Sequence, residues 1–216
     1  MLEAINIHKS YPNIEVLKGV SLKITKGEIV SIVGASGAGK STLLQILGTL
    51  DNPDEGTLII NDTDLHKLNS KNLSSFRNNY LGFIFQFHNL LPEFTAFENI
   101  CIPGYLGKRN PSEVQKKAKY LMDYLGISHR INHKPSEMSG GEQQRAAIAR
   151  ALVNNPLIIF ADEPTGNLDS HNAEEMHKLF FQLRTEFSQT FVIVTHNEKL
   201  ASEADRKLEM SDGILI

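Results

Sequence analysis

The chain has a single cysteine, Cys101, and no tryptophan. One thiol excludes an internal disulfide framework and suits a reducing compartment. No motif surrounds Cys101, so it reads as a small buried hydrophobe, not a nucleophile. Long hydrophobic runs are missing too. The longest stretch without a charged side chain, Asn78 to Pro92, is broken by Asn79, Gln86, His88 and Asn89. A spanning helix needs about 20 consecutive apolar residues. The N-terminus carries Glu3 where a secretory leader would be basic, and no apolar segment follows it. These absences predict a chain that does not cross a membrane alone, with the cytosol as its default compartment. Nor does one sign of charge dominate: 22 basic side chains against 25 acidic ones give a formal charge of −3. That balance makes no electrostatic case for nucleic acid as a partner. What is present is 216 residues, 41% hydrophobic and 22% charged. This describes a folded chain long enough to bury a substantial core, as one elaborated domain or two small lobes.

Short apolar runs alternate with helical patterns, which favours an α/β fold with a parallel sheet flanked by helices. Ile29 to Val33 is a β-branched run ending in Gly34, and Leu157 to Ala161 ends in Asp162-Glu163. Thr190 to Thr195 ends in His196. Runs apolar on both faces are the mark of central parallel strands. All three deliver small or polar residues at their C-terminal ends, where open α/β sheets bind ligands. Asn110-Pro111-Ser112-Glu113 is a helix start, with Asn as N-cap, Pro in the first turn and Glu three residues after the cap. Val114, Ala118, Leu121, Met122 and Leu125 follow at helical spacing, and Gly126 is the expected stop. Met176, Leu179, Phe180, Leu183 and Phe187 form another apolar stripe, expected to pack on the sheet. The segment from about 88 to 155 reads as a helical insertion. The N-terminal stretch, Leu2 to Ile7 and Val16 to Ile24, reads as β-rich.

Gly34-Ala35-Ser36-Gly37-Ala38-Gly39-Lys40-Ser41 matches G-x-x-x-x-G-K-[ST] between an expected strand and a helix from Thr42 to Leu47. The glycines let the backbone curl so that successive N–H groups face phosphate oxygens. The helix that follows adds its positive N-terminal end. Lys40 would neutralise β- and γ-phosphate charge, and the Ser41 hydroxyl would ligate Mg²⁺. The chain is therefore expected to bind a nucleoside triphosphate. Asp162, ending its strand, is the expected second Mg²⁺ contact. Glu163, next along, is the candidate base or water orienter. No Asn-Lys-x-Asp guanine clamp occurs, which argues against a GTPase, and a small-molecule kinase gives no reason for the helix head Ser139 to Arg145.

Met138-Ser139-Gly140-Gly141-Glu142-Gln143-Gln144-Arg145 resembles the signature motif of ATP-binding-cassette (ABC) ATPases. With it, in that family's order, come Tyr11, the loop from Gly34 to Thr42, Gln86, Asp162-Glu163, Gly166-Asn167-Leu168-Asp169 and His196. Within the family, the segments Gln86 to Asn99, Ala161 to Asp169 and Leu208 to Gly213 are most similar to ATPase subunits of lipoprotein-releasing systems. Thr165 to Asp169 is shared with macrolide-efflux and cell-division relatives, which remain alternatives. Met138 stands in place of the usual Leu, a volume-conserving swap. Asn197 stands where an acidic residue is common.

The resemblance implies a P-loop NTPase of the RecA-like kind: one ABC nucleotide-binding domain, residues 1–216. Its core would be 1–87 and 156–216, with a helical subdomain at about 88–155. It implies that Tyr11 stacks on adenine with Val16 beside it. Gln86 would contact Mg²⁺ or the attacking water, and His196 the γ-phosphate. It also implies a head-to-tail homodimer driven by ATP, in which Ser139, Gly140 and Gly141 of one copy close over ATP on the other and Asp169 lies at the seam. The subunit would sit peripherally on the cytoplasmic face of the inner membrane, docked on separate transmembrane permease subunits that bind the substrate. Leu90, Leu91, Phe94 and Phe97 are candidate docking residues, with internal packing as the even alternative.

Overall fold

Ile29, Val30, Ser31, Ile32 and Val33 are all buried, and they fix the centre of the molecule. In the computed structural model, which describes residues 1–216, this run is β3 (Ile29–Val33). It follows β1 (Leu2–Tyr11) and β2 (Ile14–Ile24), and precedes α1 (Lys40–Leu47), β4 (Glu55–Ile60), β5 (Thr63–Asp64), α2 (Ser70–Tyr80) and β6 (Leu81–Phe85). Then come α3 (Ala96–Leu106), α4 (Pro111–Tyr124), α5 (Gly140–Leu152), β7 (Ile158–Asp162) and α6 (Ser170–Phe187). The chain continues through β8 (Thr190–Val194), α7 (Glu198–Glu203), β9 (Arg206–Ser211) and β10 (Ile214–Leu215).

The central sheet runs β10-β9-β3-β8-β7-β6. All its pairings are parallel except β10 on β9. Because side chains alternate across a strand, the two faces feed two cores. Ile29, Ile159, Ala161, Phe191 and Ile193 pack with α3 to α6. Val30, Ile32, Phe160, Val192 and Val194 pack with α1 and the N-terminal strands. Both faces are covered, so these strands can be apolar throughout. A second, antiparallel sheet, β2-β1-β4-β5, lies over the second core. No helix is long and apolar enough to cross a membrane.

The helix signals act where the sequence places them. Asn110 caps α4 by accepting from Ser112 N at 2.9 Å, Pro111 opens it, and Gly126 follows its end at φ 70°. Val114, Ala118, Leu121 and Met122 are its buried face. In α6, Met176, Leu179, Phe180 and Leu183 are buried, while Phe187 is partly so. Helices α3, α4 and α5 pack on one another, and α5 also packs on β6. A Cβ on Gly82 of β6 would lie 2.9 Å from the Ala151 carbonyl oxygen. The approach of α5 to the sheet therefore depends on that glycine. Cys101 is fully buried in the same core, and burial pushes its thiol pKa up.

Candidate functional site

Parallel pairing sets the C-terminal ends of β3, β8 and β7 side by side: Ile32 pairs with Val194, and Val194 with Asp162. The residues just past these ends share one cavity of about 620 Å³. Its lining includes Tyr11, Val16, Gly34, Ser36, Gly37, Gly39, Lys40, Ser41, Thr42, Glu163 and His196. Most of the residues expected to hold nucleotide are thus in one place, although their segments are far apart in sequence.

The loop Gly34–Lys40 curls as its glycines require. Gly34, Gly37 and Gly39 have φ of 144°, 82° and 101°, values that L side chains rarely adopt. At Gly34 space is also closed, since a Cβ there would lie 2.1 Å from the Met210 carbonyl oxygen of β9. The turn after β9 adds a second brace: Gly213 N donates to Ala38 O at 3.2 Å, and Lys18 N to Gly213 O at 2.9 Å. Lys40, the first residue of α1, folds back so that Nζ donates to the Gly34 and Ala35 carbonyls at 2.8 Å each. Its charge lies over the mouth of the loop.

Ser41 Oγ donates to Asp162 Oδ1 at 3.2 Å, so a hydroxyl and a carboxylate oxygen converge beside the loop. Burial pushes the Asp162 carboxyl above the usual range. The Ser41 hydrogen bond and Lys40 oppose this, and the Glu163 charge adds to it. Two adjacent hard oxygens are the donor type that would suit Mg²⁺. No cluster of three or more His, Cys, Asp or Glu side chains offers an all-protein cage.

The Glu163 backbone turns to φ 46° while its N–H still bonds Val194 O at 2.9 Å. The break from strand geometry brings its carboxylate to His196, whose Nδ1 is 2.8 Å from Glu163 Oε2. His196 is mostly exposed, and Glu163 lines the cavity with it. Asn197 accepts from Leu200 N at 3.0 Å and so caps α7. An aspartate would cap as well, and the departure leaves the local turn intact.

Gln86 and Asp169 do not line this cavity, and neither do Ser139, Gly140 and Gly141. Gln86 follows β6, whose Phe85 pairs with Asp162. It exchanges two hydrogen bonds with Asn167: Nε2 to Oδ1 at 3.2 Å, and Asn167 Nδ2 to the Gln86 carbonyl at 3.0 Å. Ser139 caps α5 in a capping box with Glu142. Asp169 caps α6, accepting from His171 N and Asn172 N at 3.0 Å. These two helix starts approach each other, since a Cβ on Gly141 would lie 3.0 Å from Asn172 Oδ1.

Sequence reasoning missed Asp51 and Lys9. Tyr11 Oη donates to Asp51 Oδ2 at 2.8 Å, and Lys9 Nζ reaches Asp51 at 3.2 Å. The hydrogen bond to Asp51 pushes the Tyr11 hydroxyl above its ordinary pKa. No local pattern links residues forty positions apart. The docking candidates divide: Leu90 and Phe97 pack against the helical core, whereas Leu91 and Phe94 are exposed.

The family model described as ABC transporter matches residues 17–166. A lipoprotein-releasing system ATP-binding protein, LolD, of Cytophaga hutchinsonii is 60% identical over 216 residues, covering 100% of this chain and 99% of its own. The protein of that name from Porphyromonas gingivalis is 59% identical, covering 100% and 98%. Two structures of the cassette MJ0796, both described as dimeric and one as a post-hydrolysis state bound to ADP and Pi, superpose with a TM-score of 0.91. Each is 41% identical and covers 100% of this chain and 96% of that one.

Proposed function

Because the chain belongs to the ABC transporter family of ATP-binding cassettes, a family of ATPases, we propose that it powers lipoprotein release as a transporter subunit. In this reading residues 1–216 form one cassette, with a core at 1–87 and 156–216 and a helical subdomain at about 88–155. Two copies pair head to tail on the cytoplasmic face of the inner membrane, beneath separate permease subunits that bind the substrate. Similarity over the full length to lipoprotein-releasing relatives supports this substrate over macrolide efflux or a cell-division role. The dimeric MJ0796 cassettes support the pairing.

One observation carries the mechanism. Of the two helix starts that carry the family's motifs, only that of α1 belongs to the cavity; the start of α5 at Ser139–Gly141 lies outside it. A second phosphate-seeking end with no phosphate of its own is explained if it closes over the ATP of a partner copy. Asp169 lies beside it, at the seam of two composite sites.

Within each site, Tyr11 stacks on adenine with Val16 against it, and the N–H groups from Gly34 to Thr42 wrap the phosphates. That wrap includes Ala35, Ser36, Gly37, Ala38 and Gly39. Lys40 exchanges its carbonyl partners for β- and γ-phosphate oxygens. Ser41, Asp162 and Gln86 would hold Mg²⁺, which when bound would supply positive charge to offset that of the phosphates. Glu163 orients water and takes its proton, and His196 holds the γ-phosphate and steadies the carboxylate.

Glu163→Gln and Lys40→Ala test this reading, by phosphate release, nucleotide binding and size-exclusion chromatography with ATP. Glu163→Gln is expected to lose roughly 10²–10⁴-fold in turnover, retain ATP binding and run as a dimer in ATP. Lys40→Ala is expected to bind ATP roughly 10- to 100-fold more weakly, because a hydrogen bond to a charged group contributes ~1.5–3 kcal/mol. Near-normal turnover in Glu163→Gln would overturn the role given to that carboxylate.

A further inference from the structure

Helix α5 carries one polar side chain fully into the interior. Gln144 has no exposed surface, and the other buried residues of the helix are Ala146, Ala147, Ile148, Ala149, Ala151 and Leu152. Its Nε2 donates to the Pro164 carbonyl at 2.6 Å, while no protein group reaches its buried Oε1. An amide buried with one group unmatched is costly, whereas a methionine of similar volume would fill the space with no polar atom to satisfy. Packing therefore does not account for a glutamine here. The bond to Pro164 does.

That bond joins two pieces of machinery. Gln144 stands about one turn, roughly 6 Å, into the helix that begins at Gly140. Pro164 is covalently next to Glu163. The turn from Pro164 to Asn167 is also held by the paired bonds between Gln86 and Asn167 and by Thr165 Oγ1, 3.5 Å from His177 Nε2. Gln144 is its hydrogen-bonded tie to α5. Glu163 has its own N–H fixed to β8 through Val194 O and its backbone already in a left-handed conformation. With one side anchored to the sheet and the other to α5, displacement of Pro164 passes to the Glu163 side chain.

We propose that Gln144 is a positioning residue that couples the Ser139–Gly141 helix start to Glu163 of the same chain. The inference rests on the paired assembly proposed above, in which α5 faces the partner's ATP while Glu163 faces the chain's own. When the partner's ATP seats the start of α5, the Gln144–Pro164 bond sets the carboxylate for hydrolysis. Each site thereby fires only when the other is filled.

The test is Gln144→Met in the full-length chain, which keeps side-chain volume and removes the donor. Steady-state hydrolysis is measured against ATP concentration, together with ATP binding to the separate chain and a thermal melt. The same substitution is placed in a Glu163→Gln background to read ATP-driven pairing. Turnover is expected to fall about 10- to 100-fold, the cost of a misplaced catalytic group. The Hill coefficient should fall toward one, with ATP binding and pairing retained. A folded Gln144→Met chain with unchanged turnover and Hill coefficient overturns the coupling. A chain lacking Gln144 that does not fold still leaves a direct reading: ¹⁵N-glutamine resonances of Glu163→Gln, with and without ATP. The Gln144 side-chain amide should shift on pairing, and no shift overturns the proposal. If Glu163→Gln never pairs in ATP, the assembly itself falls, which is a distinguishable failure.

Discussion

Tyr11 is 41% exposed, and an aromatic ring so open to solvent needs a tether to present one face to a ligand. Asp51 supplies it through the 2.8 Å bond from Tyr11 Oη, and Lys9 holds Asp51 in turn. A hydrogen bond at such an open site contributes about 0.5–1 kcal/mol. Tyr11→Phe and Asp51→Ala are therefore each expected to raise the KM for ATP about two- to fivefold with kcat unchanged. The double variant should be no worse than either single one, because both remove one interaction. Additive losses in a kinetic double-mutant cycle would separate the two residues. At Gly34 the motif asks for glycine so that backbone can approach phosphate. The structure adds a reason from the other side, the Met210 carbonyl pressed against the same atom.

The start of α5 shows how a helix end can be charged and still neutralised. Glu142 closes the capping box on Ser139, and it also meets Arg130 at 2.7 Å and His129 at 3.0 Å. Burial opposes its ionisation. The Arg130 hydrogen bond, the Ser139 backbone N–H, His129 and the Ser139 hydroxyl outweigh burial and take its pKa down to about 2. A folded pKa below the unfolded one gives stability that is present above the unfolded value of about 4.3. That stability is lost as pH falls through the folded value. Denaturant titrations of the wild type should thus show stability declining between pH ~4 and ~2. Glu142→Gln should flatten that part of the profile. An unchanged slope would remove Glu142 from the account. Elements of this kind divide sharply in how far they can be read from sequence. The α4 cap, the β3, β7 and β8 runs and the phosphate loop are legible because their signals lie within a few neighbouring residues. Gln144 is not: it sits among polar letters in Gly141–Arg145, and only the packing of α5 on the Pro164 turn shows that this one faces inward. Leu90 and Leu91 are adjacent and chemically identical, and only the fold decides that one packs and the other is exposed.

At the scale of the whole molecule, a groove of about 410 Å³ runs between the sheet edge at β6 and the helices α3 and α5. It is lined by Phe83, Phe85, Pro103 and Leu106, with Arg77 and Arg150 among its polar residues. Leu91 and Phe94 are exposed nearby in sequence, and Phe87 and Leu106 are each 74% exposed. Apolar side chains left open on a chain without a spanning helix fit docking on another polypeptide. Leu91→Ser with Phe94→Ser is expected to leave folding and basal ATP hydrolysis unchanged, and to cut co-purification with the membrane subunits at least several-fold. Undiminished co-purification would remove these residues from the docking surface. The Gln86–Asn167 bond pair lies just past β6, so the end of that strand and the turn beside Glu163 share a support. The braces behind the phosphate loop carry a different consequence, one of chronology. Met210 and Gly213, both past residue 209, press on Gly34 and bond Ala38, although the loop itself is finished by residue 41. A ribosome makes the loop well before its backing. While the chain is still being synthesised, the loop has its glycines and its lysine but no floor. The phosphate loop of the nascent chain therefore goes unbraced until residues 210 to 213 have been made.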